Sequence, residues 1–113
     1  MAICDNVGKT EAGILTFAGR NTVELAEKYG TPLYLMDEDK IREKMRRYKN
    51  AMKECFGEGS GPLYASKAAS FKRIYEIAKE EGIGIDVVSG GELYTALAAG
   101  FDVSNAFFHG NNK

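Results

Sequence analysis

An alternation of short apolar runs with amphipathic helical patterns is the feature that most constrains the fold of this 113-residue chain. Four strand-like runs occur, at residues 32–36, 63–67, 83–89 and 106–110. Helical patterns separate them, and each helix can return the chain to the start of the next strand. Regular alternation of this kind builds a parallel sheet through right-handed crossovers. The sequence therefore predicts an α/β fold.

The helices are predicted from capping residues and from apolar stripes with helical spacing. Asn21, with Glu24 three residues later, predicts the start of a short helix that ends at Gly30. Asp37 and Ser70 are the predicted N-caps of the next two helices. Ser89 and Glu92 form an S-x-x-E capping box for the last one. The apolar stripes predict buried positions at Ile41, Met45, Tyr48, Met52, Cys55, Phe56, Phe71, Ile74, Ile77, Ala78, Leu93, Ala96 and Leu97.

Four strand–helix units leave two architectures open. One is a small open α/β domain, and the other is the first half of a (β/α)8 barrel, which needs about 250 residues. The chain stops at Lys113 without a helix to cover the fourth strand, which favours a barrel truncated after that strand. The outer strands of a half barrel would be open edges, so we expect it to associate with itself or with a missing half.

Composition excludes several classes of function. A net charge of -1, with 44% hydrophobic and 27% charged residues, is typical of globular proteins and gives no nucleic-acid footprint. No run approaches the roughly 20 apolar residues of a membrane span, and no signal peptide is evident, so we expect a cytoplasmic protein. Cys4 and Cys55 are expected to be reduced thiols.

Parallel α/β folds form their sites at the carboxyl ends of the strands. Polar residues at the predicted strand ends should therefore gather on one rim. They are Asp37, Lys67, Asp86, Ser89, Glu92, His109 and Asn111.

Lys67 is the sharpest candidate on this rim. It shares a strand face with Leu63 and Ala65, and a semi-apolar setting would favour the neutral, nucleophilic amine. The alternative is a surface lysine that pairs with Glu92 or Asp86. Position alone leaves both open.

The other candidates also have structural explanations. Asp86 interrupts an apolar strand and needs a partner, either Lys67 or the backbone. The capping box accounts for Glu92, and the segment Ser89-Gly90-Gly91 could cradle a phosphate or simply allow close packing. His109 is the only histidine, so a multi-histidine metal site is excluded, and a histidine-containing nucleophilic triad lacks a complete partner set.

Four ordered segments carry a resemblance to a known family. They are YGTPLYLMDEDKIR, YASKA, IDVVSGGELYTALAAGF and FHGNNK. In order and spacing the chain resembles, over about residues 15–113, the N-terminal part of diaminopimelate decarboxylases, which are pyridoxal-phosphate enzymes with an alanine-racemase-like barrel. Residues 1–30 then correspond to an N-terminal arm with a short helix, and residues 31–113 to the first four β/α units.

The resemblance implies roles for four residues. Lys67 matches the lysine that holds pyridoxal 5'-phosphate, and Asp86 matches the aspartate near that lysine and the cofactor. Glu92 and His109 match residues near the same site. Ala69 departs from the family pattern, because many relatives have Asn there.

The implied activity is decarboxylation of meso-2,6-diaminopimelate to L-lysine, with Lys67 and Asp86 as catalytic residues and no metal. Alternatives are an ornithine or arginine decarboxylase of the same fold, or a non-catalytic fragment that binds pyridoxal phosphate. The family's glycine-rich phosphate loop, the acidic partner of the pyridine nitrogen and its β-domain lie beyond the position of Lys113, so we expect this chain to be inactive alone. A homodimer is implied for the full-length form, with no nucleic-acid or membrane partner.

Overall fold

Two separate sheets of three strands each organise residues 4–111, the part of the chain that this computed structural model describes. The chain divides into two units between Ile41 and Arg42, and each unit is described by itself. The elements are β1 Val7–Lys9, β2 Leu15–Phe17, β3 Arg20–Asn21, α1 Thr22–Tyr29, α2 Glu38–Phe56, β4 Leu63–Ala65, α3 Lys72–Glu80, β5 Gly84–Val87, α4 Gly90–Ala98 and β6 Ala106–Phe108. Short 3-10 turns follow β4, at Ser66–Ala68, and precede β6, at Val103–Asn105.

The first unit contains an antiparallel sheet that the sequence did not predict. Its strand order is β1-β2-β3, with Val7 opposite Phe17 and Thr16 opposite Asn21. The predicted helix α1 is confirmed, since Asn21 Oδ1 accepts a hydrogen bond from the Val23 N–H at 2.9 Å.

The prediction of a first strand at residues 32–36 is wrong. The segment is not a strand, and Tyr34 is 94% exposed. An apolar run becomes a strand only where a neighbouring strand supplies hydrogen bonds, and no strand within residues 4–111 pairs with it. Asp37 caps α2 as predicted, because its Oδ1 accepts from the Lys40 N–H at 3.2 Å.

The second unit contains the predicted parallel sheet, in the order β4-β5-β6. Ala65 lies opposite Asp86, which in turn lies opposite Phe107. The α/β class is therefore confirmed for three of the four predicted units. The last two residues of the FHGNNK segment, and the predicted truncation after Lys113, lie outside the described residues.

The core of this unit lies on one face of the parallel sheet. Ile85 and Val87 of β5 are fully buried, and α3 packs against β5 and α4. The other buried apolar residues are Met45, Ile74, Tyr75, Ile77, Ala78, Ile83, Ala96 and Phe101. Because side chains alternate along a strand, Asp86 points to the opposite face, where Leu63 and Phe107 are exposed.

Several predicted burial and capping positions are wrong. Cys55, Tyr48, Phe56 and Leu97 are exposed, because spacing identifies the residues that share a helix face but not how much of that face neighbouring elements cover. Ser70 does not cap α3; its hydroxyl lies 2.7 Å from that of Tyr75 instead.

None of the helices in the described part of the chain is both long and apolar enough to span a bilayer.

Candidate active site

The four candidate side chains all follow or end strands at the carboxyl edge of the parallel sheet. Lys67 lies in the 3-10 turn directly after β4, and Asp86 lies near the end of β5. His109 follows β6, and its N–H donates to the Val87 carbonyl at 2.9 Å, which extends the β5–β6 pairing. Glu92 lies in the first turn of α4.

Asp86 pairs with His109. The Nδ1 atom of His109 lies 2.9 Å from Oδ1 of Asp86. The contact lacks hydrogen-bond geometry, so this buried carboxylate oxygen has no hydrogen-bond partner among the described residues. The sequence predicted that Asp86 bonds either Lys67 or the backbone. Neither donates a hydrogen bond to Oδ1 of Asp86.

Lys67 is exposed, and no ion pair or hydrogen bond engages its amine within residues 4–111. The predicted semi-apolar setting of its amine is therefore not found, because the 3-10 turn that begins at Ser66 leaves the lysine exposed at the edge. The surface ion pair with Glu92 or Asp86 is not formed either. The amine is left accessible to a ligand at the carboxyl edge.

Glu92 is buried, and its carboxylate accepts three hydrogen bonds. The hydroxyls of Ser66 and Ser89 each lie 2.6 Å from one of its oxygens, and the Val88 N–H donates at 3.2 Å. Burial raises the pKa of Glu92, but these hydrogen bonds together outweigh it and hold the pKa below its usual range. Glu92 is therefore a buried, ionised carboxylate.

The predicted capping box is confirmed on its serine side. Ser89 Oγ accepts from the Glu92 N–H at 3.2 Å, which caps α4. In return, Oε2 of Glu92 accepts from the Ser89 hydroxyl at 2.6 Å and from the Val88 N–H at 3.2 Å.

The sequence also predicted Asp37 and Asn111 on this rim. Asp37 belongs to the first unit, where Asn6 Nδ2 donates to its Oδ2 at 2.9 Å. That bond and the one from the Lys40 backbone lower the pKa of Asp37. Asn111 is exposed.

Sequence reasoning did not single out Ser66 or Gly110. Ser66 is fully buried, and its Oγ lies 3.0 Å from the Asp86 carbonyl oxygen. A Cβ atom at Gly110 would lie only 2.4 Å from the Val88 carbonyl oxygen, so the chain after His109 packs closely on the end of β5. Its position directly before Lys67, at the end of an apolar strand, was the sequence feature that could have identified Ser66.

The described residues contain no group of three His, Cys, Asp or Glu side chains that could hold a metal ion.

The sequence matches a known domain from the start of α2 to the last residue. Residues 38–113 match the family described as pyridoxal-dependent decarboxylase, pyridoxal binding domain. The chain belongs to this family of pyridoxal-dependent decarboxylases. Pyridoxal 5'-phosphate is therefore its cofactor, as the resemblance implied.

Individual members of the decarboxylase family match most of the chain. The diaminopimelate decarboxylase of Bacillus methanolicus is 54% identical over 103 residues, which are 91% of this chain and 24% of that protein. The enzyme of Bacillus subtilis (strain 168) is 49% identical over 93% of this chain and 24% of its own length. This chain thus spans about a quarter of the length of the curated relatives it matches.

Solved structures give the same result. The diaminopimelate decarboxylase of M. jannaschii in co-complex with L-lysine has a TM-score of 0.82 at 39% identity. The match covers 95% of this chain and 25% of that one. The chain accordingly has the α/β fold of these decarboxylases.

The residues at the carboxyl edge fit pyridoxal phosphate. The cofactor's aldehyde needs a primary amine, and Lys67 provides one that no other described residue engages. Its ring and substituents need polar partners, and the buried Oδ1 of Asp86 is an acceptor without one. Both groups lie at the same edge of adjacent strands.

Proposed function

We propose that this chain is the lysine-bearing part of a decarboxylase that converts meso-2,6-diaminopimelate to L-lysine and carbon dioxide. The observation that carries the proposal is the accessible amine of Lys67 at the carboxyl edge of β4, one strand away from the Asp86 carboxylate, whose buried Oδ1 accepts no hydrogen bond from the described residues. The substrate is inferred from the names of relatives that are 49% and 54% identical.

Each residue has a defined part in this proposal. Lys67 would hold the cofactor through its Nζ amine. Asp86 offers Oδ1 as a hydrogen-bond acceptor at the same edge, and His109 orients that carboxylate from the next strand end. Glu92 accepts a hydrogen bond from Ser66, the residue directly before Lys67. When bound, pyridoxal phosphate supplies an electron-accepting ring for the electron pair left by carbon dioxide.

The finer architecture is also part of the proposal. We infer that residues 31–113 belong to the first half of a (β/α)8 barrel and residues 1–30 to an N-terminal arm. Support comes from the parallel sheet of β4, β5 and β6, whose one face carries helices while the other exposes Leu63 and Phe107 beside Asp86. In a barrel the second face would line the interior. A homodimer of the full-length protein and a cytoplasmic location remain proposals.

A second candidate is a fragment that binds pyridoxal phosphate without turnover. The observation in its favour is that the family matched by residues 38–113 is described as a pyridoxal binding domain. An ornithine or arginine decarboxylase differs from the leading proposal only in substrate.

Chemical labelling tests the role of Lys67. The 113-residue chain is incubated with pyridoxal 5'-phosphate, reduced with borohydride, digested and analysed by mass spectrometry. We expect the label on Lys67, its loss in Lys67→Arg, and its retention in the matched control Lys72→Arg. Finding the main label on another lysine would contradict the assignment.

Release of carbon dioxide separates the candidates. Meso-diaminopimelate, ornithine and arginine are each supplied to the full-length form that contains this chain, loaded with pyridoxal 5'-phosphate. Release from diaminopimelate alone supports the leading proposal. A label on Lys67 without release from any of the three supports the binding fragment.

A further inference from the structure

Ser66, the residue directly before Lys67, lies in a buried hydrogen-bond cluster. Its side chain is fully buried and Glu92 is only 6% exposed. Ser66 Oγ lies 2.6 Å from Oε1 of Glu92 and 3.0 Å from the carbonyl oxygen of Asp86. The turn that carries the lysine is thereby within hydrogen-bond reach of both β5 and α4.

The single hydroxyl proton of Ser66 can serve only one of these acceptors at a time. The carboxylate is the closer acceptor and the charged one, so it takes the stronger bond. The remaining bonds of Glu92 go to the Ser89 hydroxyl and the Val88 N–H. One carboxylate therefore connects the turn after β4, the end of β5 and the start of α4.

Helix capping alone does not explain why Glu92 is buried. The chain contains a second box of the same kind at α1, where Asn21 Nδ2 donates to Glu24 at 3.2 Å. Glu24 is exposed there. Burying a carboxylate is costly unless donors compensate, and two donors at Glu92 lie outside the box, the Val88 N–H and the Ser66 hydroxyl.

We propose that Glu92 is a positioning residue that acts through the Ser66 hydroxyl to hold the 3-10 turn presenting Lys67 to the cofactor. The protein's own donors engage both carboxylate oxygens, and Glu92 acts on the lysine turn through the bond from Ser66 to Oε1. The inference rests on the proposed function for its purpose, but the buried link itself exists without the cofactor.

Hydrogen exchange tests the link without any cofactor. In Ser66→Ala we expect faster amide exchange in the peptide containing residues 66–69, with little change at the start of α4, which Ser89 still caps. Ser70→Ala is the matched control, because it removes a nearby hydroxyl that bonds Tyr75 and does not touch Glu92. Ser66→Cys, whose thiol has a similar shape but donates weakly, replaces Ser66→Ala if that variant does not fold.

Labelling with pyridoxal 5'-phosphate and borohydride is the second measurement. We expect Ser66→Ala to lower the labelling rate of Lys67 by about tenfold, since small misplacements of a reacting group cost that much or more. Lys72 in the same molecule is the internal reference, and its labelling should not change.

The outcomes separate this inference from the proposed function. Unchanged exchange at 66–69 in Ser66→Ala overturns the inference, as does an equal loss of Lys67 labelling in Ser66→Ala and Ser70→Ala. Failure of the wild-type chain to label at Lys67 overturns the proposed function, and the exchange data then decide whether the link holds the turn.

Discussion

Glu81, directly after α3, is a carboxylate that accepts hydrogen bonds from two arginines. Arg46 donates to it through Nε at 2.6 Å and Nη2 at 2.7 Å, and Arg42 donates at 2.8 Å. The hydrogen bonds from Arg46 and Arg42 lower the pKa of Glu81 from 4.5 to about 2. These bonds connect the end of α3 to α2.

The stabilisation by Glu81 should depend on pH. A lowered pKa means that the contribution is fully present above about 4.5 and is lost as the pH falls toward about 2. At pH 7, Glu81→Gln should lower the free energy of unfolding by about 1 kcal/mol, the upper end for such pairs. Urea denaturation at several pH values should show this difference shrinking below pH 4.5.

Glu58→Gln is the control for this measurement. Glu58 pairs with Lys53 at 2.8 Å, but its side chain is 82% exposed. Its substitution should change stability little at any pH. Equal effects of the two substitutions would contradict the assignment of stability to Glu81.

At the scale of residues, the sequence could predict positions but not partners. Lys67 and Asp86 follow or end apolar strands, which is visible in the sequence. The contact of Asp86 with His109 depends on the register of β5 against β6, and the bond from Ser66 to Glu92 joins residues 26 positions apart. Neither is encoded in local spacing.

Close packing between elements centres on Gly84, the first residue of β5. An added Cβ would lie 2.6 Å from Leu63 Cδ2 and 2.9 Å from the backbone oxygen of Asn105. The Leu63 side chain can move, but the Asn105 carbonyl is part of the turn that leads into β6. The glycine therefore allows β4 and the start of β6 to approach β5.

Gly84→Ala should destabilise the second unit by about 1–3 kcal/mol, because overpacking forces the backbone to shift. The control is Gly59→Ala, where an added Cβ meets nothing within 4 Å. Thermal or urea unfolding of both variants checks the prediction. It fails if Gly84→Ala is as stable as the control.

Element prediction succeeded where a pattern was long and failed where it was short. The 19 residues of α2 show several turns of periodicity, and α1, α2 and α4 begin at the predicted caps Asn21, Asp37 and Ser89. Strands β1, β2 and β3 have three, three and two residues, too few to show alternation. The run at 32–36 has strand composition but no pairing strand, and composition cannot supply one.

At the scale of the whole molecule, β4 and β6 are the outer strands of the parallel sheet, and neither has a second partner strand among residues 4–111. The face that carries Asp86 exposes Leu63 at 42% and Phe107 at 54%. Unpaired strand edges beside apolar side chains are templates for association. The sequence predicted that the first and fourth predicted strands form these edges. The parallel sheet instead starts at β4, which corresponds to the second predicted strand.

We expect the 113-residue chain to self-associate through this sheet. Light scattering after size exclusion should show a molar mass that rises with protein concentration. In Phe107→Lys this rise should be smaller. Tyr94→Lys is the control, because Tyr94 is 73% exposed and belongs to helix α4, not to an outer strand. A monomer at every concentration would contradict the prediction.

Gly110 shows that a site can depend on a residue that contributes no functional group. Any side chain there would press against the carbonyl of Val88, separate the ends of β5 and β6, and carry the imidazole of His109 away from Asp86. Substitution at this position would thus disable an acid–imidazole pair without altering either member. A search for reactive residues would overlook it, and variants at this glycine deserve the same scrutiny as variants at the lysine.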